Sequence, residues 1–280
     1  MIQPSFPRVD IQSYWGVFVF SRVLSVLFAG AVLGVAGSPA SAQQPSGANW
    51  TFDIGPGVLV TPWFEGSANY RVLPIPALEL RYKRDRFFIS AREGIGATLL
   101  DAEGFKAGPV LRYRFSRDQS GNYLNGMGSV PFTVEGGAFL RYDHPWFGVR
   151  LEARRGLGGH NGFLFDSALD GRLRLGSGLM LSAGPRLSIS DATYNQAFFG
   201  VDAAQSAGAG YGTYFPTGGL RSVGVGASAV WRVTDRITFA TFGGYNRLGD
   251  VPAASPIVTG PGGSADQFTV GSALSWRFSW

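Results

Sequence analysis

Hydrophobic and polar side chains exchange places at every step along much of this chain. From Phe105 to Phe115 one face carries Phe105, Ala107, Pro109, Leu111, Tyr113 and Phe115, and the other carries Lys106, Gly108, Val110, Arg112 and Arg114. Phe132 to Tyr142 sets Val134, Ala138 and Leu140 against Glu135, Phe139 and Arg141. Phe147 to Arg154 sets Val149 and Leu151 against Arg150, Glu152 and Arg154. Phe163–Leu175 and Leu179–Ile189 repeat the pattern with Asp166, Asp170, Arg172, Arg174 and Arg186 on their polar faces. The final segment places Phe268, Val270, Leu274, Trp276, Phe278 and Trp280 on one side. A period of two marks β-strands, because successive side chains leave opposite faces. Weaker candidates lie at 52–60, 72–83, 86–93, 223–233 and 237–248.

Short turn signals such as Asp143-His144-Pro145 and Gly176-Ser177-Gly178 alternate with long connections at 116–131, 191–219 and 249–266. Short turns at one end and long loops at the other describe an outer-membrane barrel. The convincing segments come to an odd count, whereas a bacterial single-chain barrel has an even number of strands. The expected fault lies between Arg86 and Leu100, where Gly94 and Gly96 conceal two short strands. The expected fold is therefore all-β: a closed antiparallel transmembrane β-barrel of twelve strands, with ten as the alternative.

Composition separates this barrel from a soluble sandwich. Only 15% of residues are charged against 14% aromatic, whereas soluble domains carry roughly 25% charge. The aromatic content also excludes a disordered chain. Of the 24 basic residues only Lys83 and Lys106 are lysines, an unusual mixture for a nucleic-acid patch, and no nucleic-acid partner is expected. Arginine suits forked pairing with carboxylates, as the enclosed face of a barrel demands. On the polar faces Arg112, Arg114, Arg141, Arg150, Arg154, Arg172, Arg174 and Arg186 meet Glu135, Glu152, Asp166 and Asp170. Guanidiniums outnumber carboxylates, and unpaired buried charge is costly. Two readings follow: an ion-pair network filling a narrow lumen, or a small anion-favouring pore.

The N-terminus reads as an address. Arg22 precedes the apolar run Val23–Gly37, and Ala40-Ser41-Ala42 has the small-x-small form of a signal-peptidase site. Cleavage is expected after Ala42, leaving Gln43 first, with residues 1–42 a signal peptide and 43–280 the barrel; a membrane anchor is the alternative. Zero cysteine removes disulfide scaffolds, thiol nucleophiles and cysteine-ligated zinc.

Family resemblance enters through four segments. Glu65-Gly66-Ser67-Ala68-Asn69-Tyr70-Arg71-Val72-Leu73-Pro74-Ile75-Pro76 resembles a hallmark of the MipA/OmpV family of outer-membrane proteins. So do Gly159-His160-Asn161-Gly162, Tyr194 with Phe198-Phe199-Gly200-Val201, and Asp250 with Ser255-Pro256-Ile257-Val258. The resemblance implies a β-barrel in the outer membrane of a Gram-negative bacterium, immersed in its lipid. It also implies a structural scaffold, its namesake bringing a lytic transglycosylase to a bifunctional penicillin-binding synthase; other members are described as adhesins. Trp276, Phe278 and Trp280 resemble the terminal signal read by the barrel assembly machinery.

Candidate chemistry is sparse. His144 sits in a tight turn, where capping is the expected role. His160 stands at a loop mouth and is expected to order that loop; an esterase would pair it with Ser167 or Ser188 and a carboxylate such as Asp166, but triads are defined by geometry rather than spacing. Gly224-Val225-Gly226-Ala227-Ser228-Ala229 mimics a dinucleotide motif without the helix that motif needs. No catalytic residue, cofactor or metal is expected. The alternatives to the scaffold are the narrow porin and a surface adhesin built on the aromatics of loops 116–131 and 191–219.

Overall fold

Alternation of this kind leaves every strand with one apolar face and one polar face, and a closed ring disposes of both at once. The computed structural model describes residues 49–83, 85–120 and 123–280. The expected signal peptide, with Ala40, Ala42 and Gln43, lies outside the described residues. The strand segments are β1 (Trp50–Pro62), β2 (Tyr70–Tyr82), β3 (Phe87–Ser90), β4 (Gly94–Ala97), β5 (Leu100–Ala102) and β6 (Phe105–Arg114). They continue with β7 (Thr133–Asp143), β8 (Phe147–Gly158), β9 (Phe163–Leu175), β10 (Leu179–Ser190), β11 (Gly219–Arg232), β12 (Ile237–Leu248) and β13 (Asp266–Ser279).

Each pairs antiparallel with its neighbours, and β1 also pairs with β13 from Thr51↔Ser279 to Val60↔Val270. β4 and β5 both lie on β6, at Ile95↔Leu111 and Leu100↔Ala107, so they are two pieces of one strand broken at Thr98-Leu99. The result is a closed antiparallel barrel of twelve strands. The two short strands expected around Gly94 and Gly96 are β3 and β4. The weak 86–93 candidate is not one strand, because the chain turns over at Ala91–Glu93.

The outer face is apolar and open to its surroundings: Val72, Leu111, Leu140, Leu169, Val223, Val225 and Val270 are all exposed. Aromatics ring both rims. Near the chain ends Trp50 packs on Tyr82 at 4.6 Å and Phe105 on Tyr142 at 4.5 Å. At the opposite rim Tyr113 meets Phe115 at 5.3 Å and Tyr245 meets Phe268 at 5.0 Å. An apolar belt between aromatic girdles matches lipid.

The long loops fold into a cap. Between β10 and β11 run α1 (Ala192–Phe199) and α2 (Ala203–Ala209); between β12 and β13 run the short turns α3 (Asp250–Ala253) and α4 (Pro256–Thr259). Asp191 caps α1 by accepting the Tyr194 N–H, and Asp202 with Gln205 forms a capping box on α2. Tyr194, Phe198, Phe199 and Val201 pack with Leu124, Met127, Leu164, Leu248, Ile257 and Val258 into the main apolar core of the molecule. In this barrel the core lies over the mouth, because charge fills much of the interior.

Candidate functional site

Inward-facing arginines meet carboxylates at three levels. Lowest, at the rim of short turns, Asp85 accepts from Lys106 at 3.0 Å, from Arg141 at 2.6 Å and from Arg81. Asp143 forms an ion pair with Arg141 at 2.8 Å and accepts a hydrogen bond from Arg172 at 2.7 Å. Asp85 stands in a turn outside the strands. Burial pushes its carboxyl up, but Arg81, Lys106 and Arg141 outweigh that and hold it well below the usual carboxylate range. At mid-height Glu152 takes a forked contact from Arg112, at 3.0 and 2.7 Å, and further contacts from Arg150 and from Arg154 at 3.4 Å. Arg150 also reaches Glu93 at 3.5 Å. Asp170 pairs with Arg186 at 2.6 Å.

The uppermost level joins wall to cap. Glu135, only 1% exposed, accepts from Arg114 at 2.5 Å, from Arg154 at 2.8 Å and from His160 at 3.2 Å. Asp166 binds Arg154 and, at 3.2 Å, Arg221. Arg221 also binds Glu65, which accepts a hydrogen bond from the Tyr194 hydroxyl at 2.7 Å. The Arg114 guanidinium lies over the Tyr194 ring at 5.0 Å and over Phe198 at 5.6 Å, cation–π contacts that couple cap to lumen. Arg117 donates to the Phe198 carbonyl at 2.8 Å. In the loop after β1, burial works to raise the Glu65 carboxyl, yet Arg221 and Arg114 hold it below its ordinary value. Burial likewise raises the Tyr194 phenol, which stays neutral and donates.

Both histidines are placed by these contacts. His160 is buried edge-on against Tyr194 and Phe198. A side chain on Gly156 would begin 2.4 Å from the His160 ring, so glycine there makes the seat. His144 accepts the Trp146 N–H at 3.3 Å within its turn. Ser167 lies on the outward face of β9, and Ser188 is bound to Asp166 and Arg221. Of the esterase alternative, Ser188 and Asp166 are therefore brought together, while His160 is bound to Glu135 rather than to either serine. Gly226 leaves room for the Arg186 guanidinium, since an added carbon would stand 2.8 Å from it.

Of the lumen residues expected from the sequence, Arg112, Arg114, Glu135, Arg141, Arg150, Glu152, Arg154, Asp166, Asp170, Arg172 and Arg186 occupy these clusters. Arg174 lies at the exposed lower end of β9, without an ion pair among the described residues. The sequence reading missed Glu65, Asp85, Glu93, Asp143 and Arg221 as members. Beneath the cap a cavity of about 750 Å³ remains, lined by nine arginines and five carboxylates. Trp276, Phe278 and Trp280 lie at the outer edge of β13, all exposed.

The model of the MltA-interacting protein MipA family matches residues 54–278, which span the barrel almost end to end. The chain belongs to the MipA family. Its closed, lipid-facing barrel is an outer-membrane protein of the Gram-negative type. No curated protein matches this MipA chain. Among solved structures it is similar to the NanC porin, with a TM-score of 0.40 and 10% identity over 81% of this chain and 100% of that one. It is similar to a bacterial polysaccharide outer-membrane secretin, with a TM-score of 0.39 and 8% identity over 84% and 100%. It is also similar to a loop L8 deletion mutant of OmpT from Vibrio cholerae, with a TM-score of 0.36 and 9% identity over 83% and 99%. Likenesses at this level say nothing of activity.

Proposed function

We propose that this barrel is a non-enzymatic scaffold that organises murein-cleaving and murein-synthesising enzymes at the periplasmic side of the outer membrane. Its family is described as MltA-interacting, and the reading extends that description to a lytic transglycosylase and a penicillin-binding synthase as partners. The observation that carries it is the commitment of the lumen: arginines are tied to carboxylates at every level, and the mouth lies under a packed apolar cap. With those side chains engaged and the mouth covered, the periplasmic turns are left for binding, with Trp146 69% exposed among them. Trp276, Phe278 and Trp280 then serve as the assembly signal.

A photo-crosslinking residue at Trp146 or Arg236 in intact envelopes is expected to capture a murein hydrolase or synthase. The same residue at Phe215, on the opposite rim, is expected to capture neither. Equal or absent capture of murein enzymes from both rims removes the scaffold. The second reading, a narrow anion-favouring pore, draws on the surplus of arginines around the cavity. The adhesin is less well supported, since Tyr194, Phe198 and Phe199 face into the cap rather than out.

A further inference from the structure

The barrel wall has a notch on one side. β3 turns over after four residues, so its pairing with β2 ends at Glu79↔Ser90, and β4 reaches β6 only at Ile95↔Leu111 and Gly96↔Val110. The turn is pinned by the Ala91 N–H on the Leu78 carbonyl at 2.9 Å and by the Tyr113 hydroxyl on the Ala91 carbonyl at 2.9 Å. Beyond this turn, among the described residues, no strand stands between residues 70–77 of β2 and residues 112–114 of β6. Two missing strands at about 4.8 Å spacing open a gap of roughly 14 Å. With strands tilted as in outer-membrane barrels, the gap occupies the extracellular half of the membrane.

Sequence has prepared this edge. Pro56 faces Pro76 in the β1–β2 register, and neither has an N–H to exchange. Even-numbered residues of β2 therefore turn their backbone groups away from β1, as the Leu78 carbonyl does. Pro74 and Pro76 thus remove two donors from the free edge, a device that discourages strand addition. The carbonyls that remain cannot lie bare in hydrocarbon, so water or a polar group must reach them. On the lumen side of the same stretch β2 carries Leu73 and Ile75 in place of charge. Arg71 and Arg92 line the cavity behind the gap; neither makes an ion pair among the described residues, and the Arg71 Nε is buried without a partner.

We propose that the notch is a lateral site for an anionic amphiphile drawn from the surrounding membrane. Arg71 and Arg92 hold its head group, and its chain lies against Leu73 and Ile75. The cap packs over the mouth above the cavity, and the notch gives the amphiphile a route in from the membrane. Apolar lining beside unpaired guanidiniums, at membrane depth, fits a ligand that is itself half chain and half anion. The site is separate from the periplasmic turns and does not depend on the scaffold reading.

The test uses the full chain in phosphatidylcholine vesicles, with a bimane label on Ile75→Cys or, as control, on Ser182→Cys across the lumen. Chain-brominated phosphatidic acid is expected to quench the label at 75 and not at 182. Half-quenching should need about tenfold less phosphatidic acid than brominated phosphatidylcholine, the worth of a charge-assisted contact. Arg71→Ala with Arg92→Ala should bring the two lipids to the same potency. Three results would overturn the proposal: no more quenching at 75 than at 182, equal potency of both lipids with the arginines in place, or an unquenched label buried in a dimer of this chain.

Discussion

Tyr194→Ala is expected to open the barrel. Tyr194 is fully buried at the centre of the cap, and truncating a buried aromatic ring costs about 3–5 kcal/mol. The wall does not depend on this ring, because its hydrogen bonds run strand to strand. The loss therefore falls on the cap, whose helices are too short to persist alone. In planar bilayers the parent protein should give no discrete conductance, and Tyr194→Ala should give one favouring anions, given the arginine surplus around the cavity. Protease added outside should cut within 191–218 in the variant only. Tyr194→Phe keeps the ring and loses only the bond to Glu65, so it should stay closed.

Glu135→Leu is expected to be the most destabilising single change in the wall. It removes the acceptor that Arg114, Arg154 and His160 share at a site 1% exposed; Arg154 keeps Asp166 and Glu152, but Arg114 is left with Glu65 at 3.8 Å. Removing one member of a buried ion pair typically costs about 3–5 kcal/mol, because the charge left behind has no partner. Asp170→Asn makes a useful contrast. Asp170 and Arg186 are 26% and 30% exposed, where water screens the loss to about 1 kcal/mol or less. Urea unfolding of the two variants in lipid should separate them by several kcal/mol, with Glu135→Gln in between.

The strands were legible because lipid and lumen impose strict alternation, so β6 to β10 can be read residue by residue. Even the broken place was marked, by Gly94 and Gly96. The carboxylates that complete the network were not legible. Glu65, Asp85 and Glu93 come from loops and turns, where no period assigns a face, and Glu65 meets Arg221 across 156 positions. Counting strand residues alone therefore overstated the excess of arginine. The cap was hidden for another reason. Helices of eight and seven residues are too short for a helical period to emerge, although Asp191 and the Asp202/Gln205 box stand in the sequence as their N-terminal signals. The aromatics of 191–219 were visible as a cluster; that they turn inward is a property of packing.

The central claim is that lipid wets one face of every strand while the other encloses the charges. The chain has no cysteine, so a single introduced thiol can carry the only label. Along β11, Ala227 and Ala229 face outward, whereas Ser228 and Val230 face the lumen. With a fluorescent label at each of these four positions in turn, lipid-borne bromine should quench 227 and 229 and spare 228 and 230. Equal quenching at all four positions, or none at any, would contradict the barrel and everything built upon it.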